Sequence, residues 1–111
     1  MSFEPRDYLR HILVEVEYLL ASGKGLTFDA FMENETLQRA YVRSLEVIGE
    51  AARNVPQEFR SQHPDVQWRA MTGMRDRLIH SYFGVDYEIV WDVVQNHIPE
   101  LRRQIAFILE A

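Results

Sequence analysis

Within a chain of 111 residues, one stretch concentrates the residue types that bind anions and move protons. Arg69-Ala70-Met71-Thr72-Gly73-Met74-Arg75-Asp76-Arg77-Leu78-Ile79-His80-Ser81-Tyr82 holds three Arg and one Asp, a local charge of +2 in a chain whose net charge is −5. On a helix, Asp76 and His80 are i and i+4 and share a face, so the carboxylate can hold the imidazole's orientation. Arg75 lies roughly 140° around the cylinder from His80, and on an isolated helix the two do not converge. A long Arg side chain reaching around, or a second copy of the helix, would bring guanidinium and imidazole together. Tyr82 stands nearly in line with Arg75 if the helix persists that far. Two readings fit this run. One is a solvated helix face laced with i,i+4 ion pairs, each contributing a few tenths of a kcal/mol. The other is an anion site in which guanidinium neutralises a phosphate and His80 transfers a proton. Spacing alone does not choose between them.

Other chemistries find little support. The chain has no Cys, hence no disulfide, thiol nucleophile or thiolate metal site. His11, His63, His80 and His97 are scattered, and no two share the three- or four-residue spacing that lets imidazoles on one helix bind one metal. There is no Gly-rich phosphate loop, Ser nucleophile motif or His-Glu-x-x-His run. Neither a metal nor another cofactor is expected.

The elements that must position the Arg75–His80 run read as helices. Most of the five Gly and four Pro fall between segments of helical period. From about Glu4 to Ser22, Leu9, Ile12, Leu13, Val16, Leu19 and Leu20 recur at spacings of three and four, with Pro5 suited to a first turn and Gly23 to a C-terminal cap. Thr27 caps a short turn through Phe28 and Phe31. Asn34 or a neighbour opens a long helix to about Asn54, closed by Pro56. Gln57 to Gln67 reads as a connector with one helical turn near Glu58 to Arg60. The next helix starts near Asp65 or Val66 and runs to about His80 or Tyr82, before a turn at Gly84. Asp86 caps a helix bearing Ile89, Val90, Val93 and Val94, and Pro99 starts or kinks the last segment. The expected fold is all-α: a single domain over residues 1–111 built as a four- to five-helix up-and-down bundle.

Composition bounds the partners. With 12 Lys+Arg against 17 Asp+Glu and a pI near 5.3, bulk attraction to polyphosphate or anionic lipid is excluded. The residues from Met1 to Asp7 lack the basic-then-apolar order of a signal peptide, and no apolar run approaches a bilayer span. A cytoplasmic protein with no membrane partner is expected.

Arg75-Asp76-Arg77-Leu78-Ile79-His80-Ser81-Tyr82 resembles the Arg-x(4 to 6)-His-x-Tyr motif of HepT-like toxins in the HEPN superfamily, all-helical ribonucleases of prokaryotic toxin–antitoxin systems. Leu45-Glu46-Val47-Ile48-Gly49-Glu50-Ala51-Ala52 resembles the family's second-helix signature. Trp68-Arg69, Gly73-Met74-Arg75, Tyr82-Phe83-Gly84-Val85-Asp86 and Ile89-Val90-Trp91 resemble the stretch around its active site. The resemblance covers nearly the whole chain, from about Tyr8 to Leu109.

The resemblance implies a HEPN-like homodimer whose two motifs meet at a cleft, and metal-independent endoribonuclease action in which a ribose 2′-hydroxyl attacks the adjacent phosphorus. It implies proton transfer by His80, charge stabilisation by Arg75, orientation of His80 by Asp76, and guidance of the RNA backbone by Arg77 or Arg69. It also implies neutralisation by a cognate MntA-like minimal nucleotidyltransferase antitoxin that transfers AMP onto Tyr82. The alternative is a non-catalytic helical module that binds nucleotide or substrate for a separate nucleotidyltransferase. Under the first reading, a dimer brings two copies of the basic Arg69–His80 stretch to one cleft, which predicts a small cationic groove in an acidic body.

Overall fold

The computed structural model describes residues 3–80 and 84–110. Among them the chain forms helices and no strands. Their starts follow from local chemistry. α1 (Pro5–Ser22) opens with Pro5 in its first turn, where a missing N–H costs nothing, and the Glu4 N–H donates to Asp7 Oδ2 at 2.9 Å. The short α2 (Phe28–Glu33) is capped by Thr27, whose Oγ1 accepts the Ala30 N–H at 3.1 Å. α3 (Glu35–Asn54) is capped by Asn34, whose Oδ1 accepts the Leu37 N–H at 2.9 Å, and it stops just before Val55 and Pro56.

Downstream of α3 lie the short α4 (Gln57–Gln62), α5 (Trp68–Ile79), α6 (Tyr87–Asn96) and α7 (Ile98–Glu110). Asp86 caps α6 as its sequence suggests, accepting from the Glu88 and Ile89 N–H groups. α5 starts later than expected. His63 to Val66 form a turn instead, with the Val66 N–H donating to His63 O at 3.3 Å and the Trp68 indole N–H to the same oxygen at 3.0 Å. The indole therefore fixes the point at which α5 leaves the connector. α5 ends at Ile79, earlier than a helix reaching Tyr82, and Tyr82 lies outside the described residues.

The longer helices build the bundle, with α3 as its spine. α1 and α5 both pack on α3; α1 also packs on α7, and α7 on α6. The buried residues of α1, Leu9, Ile12, Val16 and Leu19, follow its helical stripe, and those of α3 include Tyr41, Leu45, Ile48, Ala51 and Ala52. Phe31 joins the short α2 to this core, with its ring centroid 5.0 Å from Tyr41 and 5.3 Å from Trp91. Each large apolar side chain fully buried in this way contributes roughly 1.5–3 kcal/mol before entropy is counted. Among the described residues, two polar side chains are also buried. Gln38 Nε2 donates to Phe31 O at 3.1 Å and Met32 O at 3.0 Å, satisfying carbonyls left open at the end of α2. Ser44 Oγ donates to Glu15 across α3 and α1 at 2.8 Å. Among the described residues, no helix is long and apolar enough to cross a membrane.

Candidate active site on the third and fifth helices

α3 and α5 meet at Gly49. A Cβ on Gly49 would lie 2.4 Å from Arg75 Cβ and 2.6 Å from the Met71 carbonyl oxygen, so only a glycine lets the two helix backbones approach this closely. The approach lays the aliphatic stem of Arg75 over Gly49 and leaves the side chain only 22% exposed. One residue further along α3, Glu50 Oε2 accepts from Arg75 Nε at 2.8 Å. On the other side, Asp76 Oδ1 accepts from Arg75 Nη1 at 3.1 Å and from Arg53 Nη2 at 2.5 Å. The guanidinium is thus held by backbone contact beneath and a carboxylate on either flank. Glu50 and Asp76 are about half exposed, so these ion pairs add little to stability and serve mainly to fix geometry.

His80 sits one turn beyond Asp76 as the C-terminal cap of α5. Its Nδ1 lies 2.8 Å from the main-chain oxygen of Asp76. The bond expected from the Asp76 carboxylate is therefore made by the Asp76 carbonyl, because the carboxylate is turned to Arg53 and Arg75. A carbonyl oxygen only accepts, so Nδ1 carries the hydrogen and a neutral ring presents its lone pair at Nε2. His80 is exposed, which leaves that face open to a ligand. Arg69 and Arg77 are exposed at opposite ends of the same helix, away from the Gly49 contact.

The cationic groove expected of a dimer involves two copies of the Arg69–His80 stretch; the groove that one chain builds beside Arg75 is mixed in charge. A groove of about 610 Å³ runs beside Arg75, and α1 and α3 line it with Glu15, Glu46 and Glu50 as well as Arg43 and His11. The run from Arg69 to His80 is basic by itself, but α3 brings acidic side chains to it. Positive charge there comes from the guanidinium groups of Arg43, Arg53 and Arg75, each set among these carboxylates or next to one. Among the described residues, no three His, Asp or Glu are grouped to hold a metal ion.

The sequence alone did not single out Gly49, Glu50 and Arg53 as site residues. Gly49 carries the signal that could have found them, since a glycine inside a long amphipathic helix costs about 1 kcal/mol and usually marks a close approach. Its neighbour one position on then has to lie at the same contact.

The fold and this arrangement define a class: an all-helical HEPN-like bundle that presents a fixed arginine and an exposed histidine from one helix. The family model described as "Ribonuclease HepT-like" matches residues 8–108, and the chain belongs to that family. A provisionally named RNase of Caldanaerobacter subterraneus subsp. tengcongensis is 52% identical over 106 residues, covering 96% of this chain and 95% of the relative. One of Methanocaldococcus jannaschii is 42% identical over 105 residues, covering 95% of this chain and 87% of the relative. A Thermococcus cleftensis protein bearing the name ribonuclease HepT is 41% identical over 102 residues, covering 92% and 93% of the two chains. No solved structure matches the chain.

Proposed function

We propose that this chain is the toxin of a prokaryotic toxin–antitoxin module and cleaves RNA without a metal, using Arg75 and His80. The observation that carries the reading is the arrangement on α5, in a member of the ribonuclease HepT-like family: a guanidinium clamped between Glu50 and Asp76, and an imidazole whose Nδ1 is occupied. Cleavage requires a base to take the proton of a ribose 2′-hydroxyl, a cation to stabilise the crowded phosphorane and an acid to protonate the departing 5′-oxygen. The products are a 2′,3′-cyclic phosphate and a 5′-hydroxyl end. The Nε2 lone pair of His80 suits it to the first role. Arg75 keeps guanidinium hydrogens not spent on Glu50 and Asp76, and these face the phosphate.

One histidine of this kind per chain leaves the acid unassigned. A homodimer that sets two α5 ends at one cleft supplies it from the second copy, with Ile79, 39% exposed beside His80, available for the contact. Arg69 and Arg77 serve the RNA backbone on either side. The cognate MntA-like nucleotidyltransferase silences this site by transferring AMP from ATP to the Tyr82 phenol oxygen, with pyrophosphate leaving. An anionic adduct two residues from His80 would compete with RNA phosphate for Arg75. The setting of this reaction is the cytoplasm.

Induced expression tests the reading. The wild-type chain arrests growth and leaves RNA with cyclic phosphate ends, whereas His80→Ala does neither. Co-expressed transferase rescues cells from the wild type but not from Tyr82→Phe, which still cuts RNA. Equal toxicity of wild type and His80→Ala would remove the nuclease assignment, and rescue from Tyr82→Phe would remove the modification.

A further inference from the structure

The groove beside Arg75 has chemistry that phosphate cleavage does not use. Its outer wall is aromatic: the Phe3 ring centroid lies 5.5 Å from Tyr8 and 5.4 Å from His11, each pair edge to face. Phe3 is 47% exposed, so its ring is available to a flat partner. The floor is α3, which presents Arg43 and Glu46 one turn apart. Neither makes a hydrogen bond or ion pair with any described residue, although Glu15 and Glu50 in the same groove are engaged by Ser44 and Arg75. At about 610 Å³ the groove falls within the roughly 300–1,000 Å³ of small-ligand sites.

A free carboxylate and a free guanidinium side by side, facing an aromatic wall, match one nucleobase better than the others. Guanine offers two adjacent donors, N1–H and the 2-amino group, to a carboxylate, and two adjacent acceptors, O6 and N7, to a guanidinium. Adenine and the pyrimidines each lack that adjacent donor pair. Unpaired RNA bases stack readily on aromatic rings. The carboxylates that make this groove a poor host for phosphate are suited to reading a base edge. We infer that the groove between α1 and α3 seats an unpaired guanine next to the phosphate held by Arg75, with Glu46 and Arg43 reading its edge and Phe3 stacking on it. The inference rests on the RNA-cleaving reading above and adds the substrate preference: single-stranded RNA with guanosine adjoining the cut.

Binding of 2′-O-methyl RNA tests it independently of cleavage, because the 2′-oxygen is blocked. Fluorescein-labelled uridine hexamers carrying one guanosine, inosine or adenosine are titrated into the full chain and followed by anisotropy. The guanosine hexamer binds about tenfold more tightly than the adenosine hexamer, with inosine, which lacks the 2-amino group, between them. Glu46→Ala and Arg43→Ala abolish that order, and Phe3→Ala weakens binding of the guanosine hexamer about tenfold. Equal affinity of the wild type for all three hexamers overturns the proposal. So does a sedimentation result in which Phe3→Ala splits a dimer while the base preference persists, since the groove is then filled by a second copy. If the guanosine preference holds but unmodified RNA is left intact, the guanine seat stands and the nuclease reading falls. Cleavage without base preference in binding does the reverse.

Discussion

Arg75 lies against Gly49 with no room for a side chain between them. This contact sets where the guanidinium emerges from α5, and it reverses the usual outcome of replacing a helical glycine. In an open helix interior, alanine is favoured over glycine by up to about 1 kcal/mol. At Gly49 the new methyl would collide with Arg75 Cβ and the Met71 carbonyl, one of which is backbone and cannot rotate away. Gly49→Ala is expected to destabilise the chain by about 1–3 kcal/mol and to lower RNA cleavage by displacing Arg75. Gly73, on α5 with nothing within 4 Å of an added Cβ, is the control. Gly73→Ala should stabilise by up to about 1 kcal/mol and leave cleavage intact. Thermal melts of the two variants check the opposite signs.

The clamp on Arg75 gives a separate expectation. Glu50→Ala removes the acceptor of Nε without changing the fold, since a half-exposed ion pair contributes at most about 1 kcal/mol. A freed guanidinium misplaced by an ångström can cost up to about 10²-fold in rate. Cleavage should therefore fall about 10- to 100-fold while the melting temperature barely moves. Glu50→Gln, which keeps an oxygen for Nε, should recover much of the loss. Rates of labelled-RNA cleavage beside melting curves separate this from simple unfolding.

Much of this was legible in the sequence, and the part that was not has a physical reason. The caps at Thr27, Asn34 and Asp86 were read correctly because a cap is decided within four residues of chain. The apolar stripe of α1 was legible for the same reason, as its period is local. The side-chain partners were not legible, because they come from helices far apart in sequence. Asp76 and His80 are i and i+4, but Arg53, 23 residues away, takes the carboxylate. Glu46 and Glu50 turn a basic stretch into a mixed groove only because Gly49 brings α3 against α5.

The carbonyl bond to His80 distinguishes two roles for Asp76. If the carboxylate oriented the imidazole, Asp76→Asn would disable it. Because the main-chain oxygen does so, at 2.8 Å, the substitution leaves that bond in place. Asp76→Asn should cost far less than the 10²- to 10⁴-fold expected on removing a proton-transfer group, and its effect should come through the loosened Arg53 and Arg75. Cleavage rates of Asp76→Asn and His80→Ala, measured side by side, make the comparison.

Alkaline stability reports on the bundle core around Tyr41. Burial pushes the Tyr41 phenol above its ordinary value, and the like charge of Tyr18 adds to this. Ser22 tempers the effect, but its hydroxyl already donates to Tyr18 O at 2.7 Å, and the Tyr41 oxygen has no hydrogen-bond partner. With the folded value above the unfolded one, stability is fully present below about pH 10 and is lost as pH rises through the folded value. Tyr41→Phe should flatten that loss in urea melts between pH 8 and 11, and should cost little at neutral pH because it removes an unsatisfied polar atom.

The central claim is that Arg75 and His80 together cut RNA. It is tested most directly by incubating purified wild type, Arg75→Ala and His80→Ala with single-stranded RNA in excess chelator and analysing the new ends. The account predicts cleavage by the wild type to 2′,3′-cyclic phosphate and 5′-hydroxyl ends, with each variant slower by at least about 10²-fold. Equal cleavage by all three proteins, or cleavage that stops when metal is removed, would contradict it.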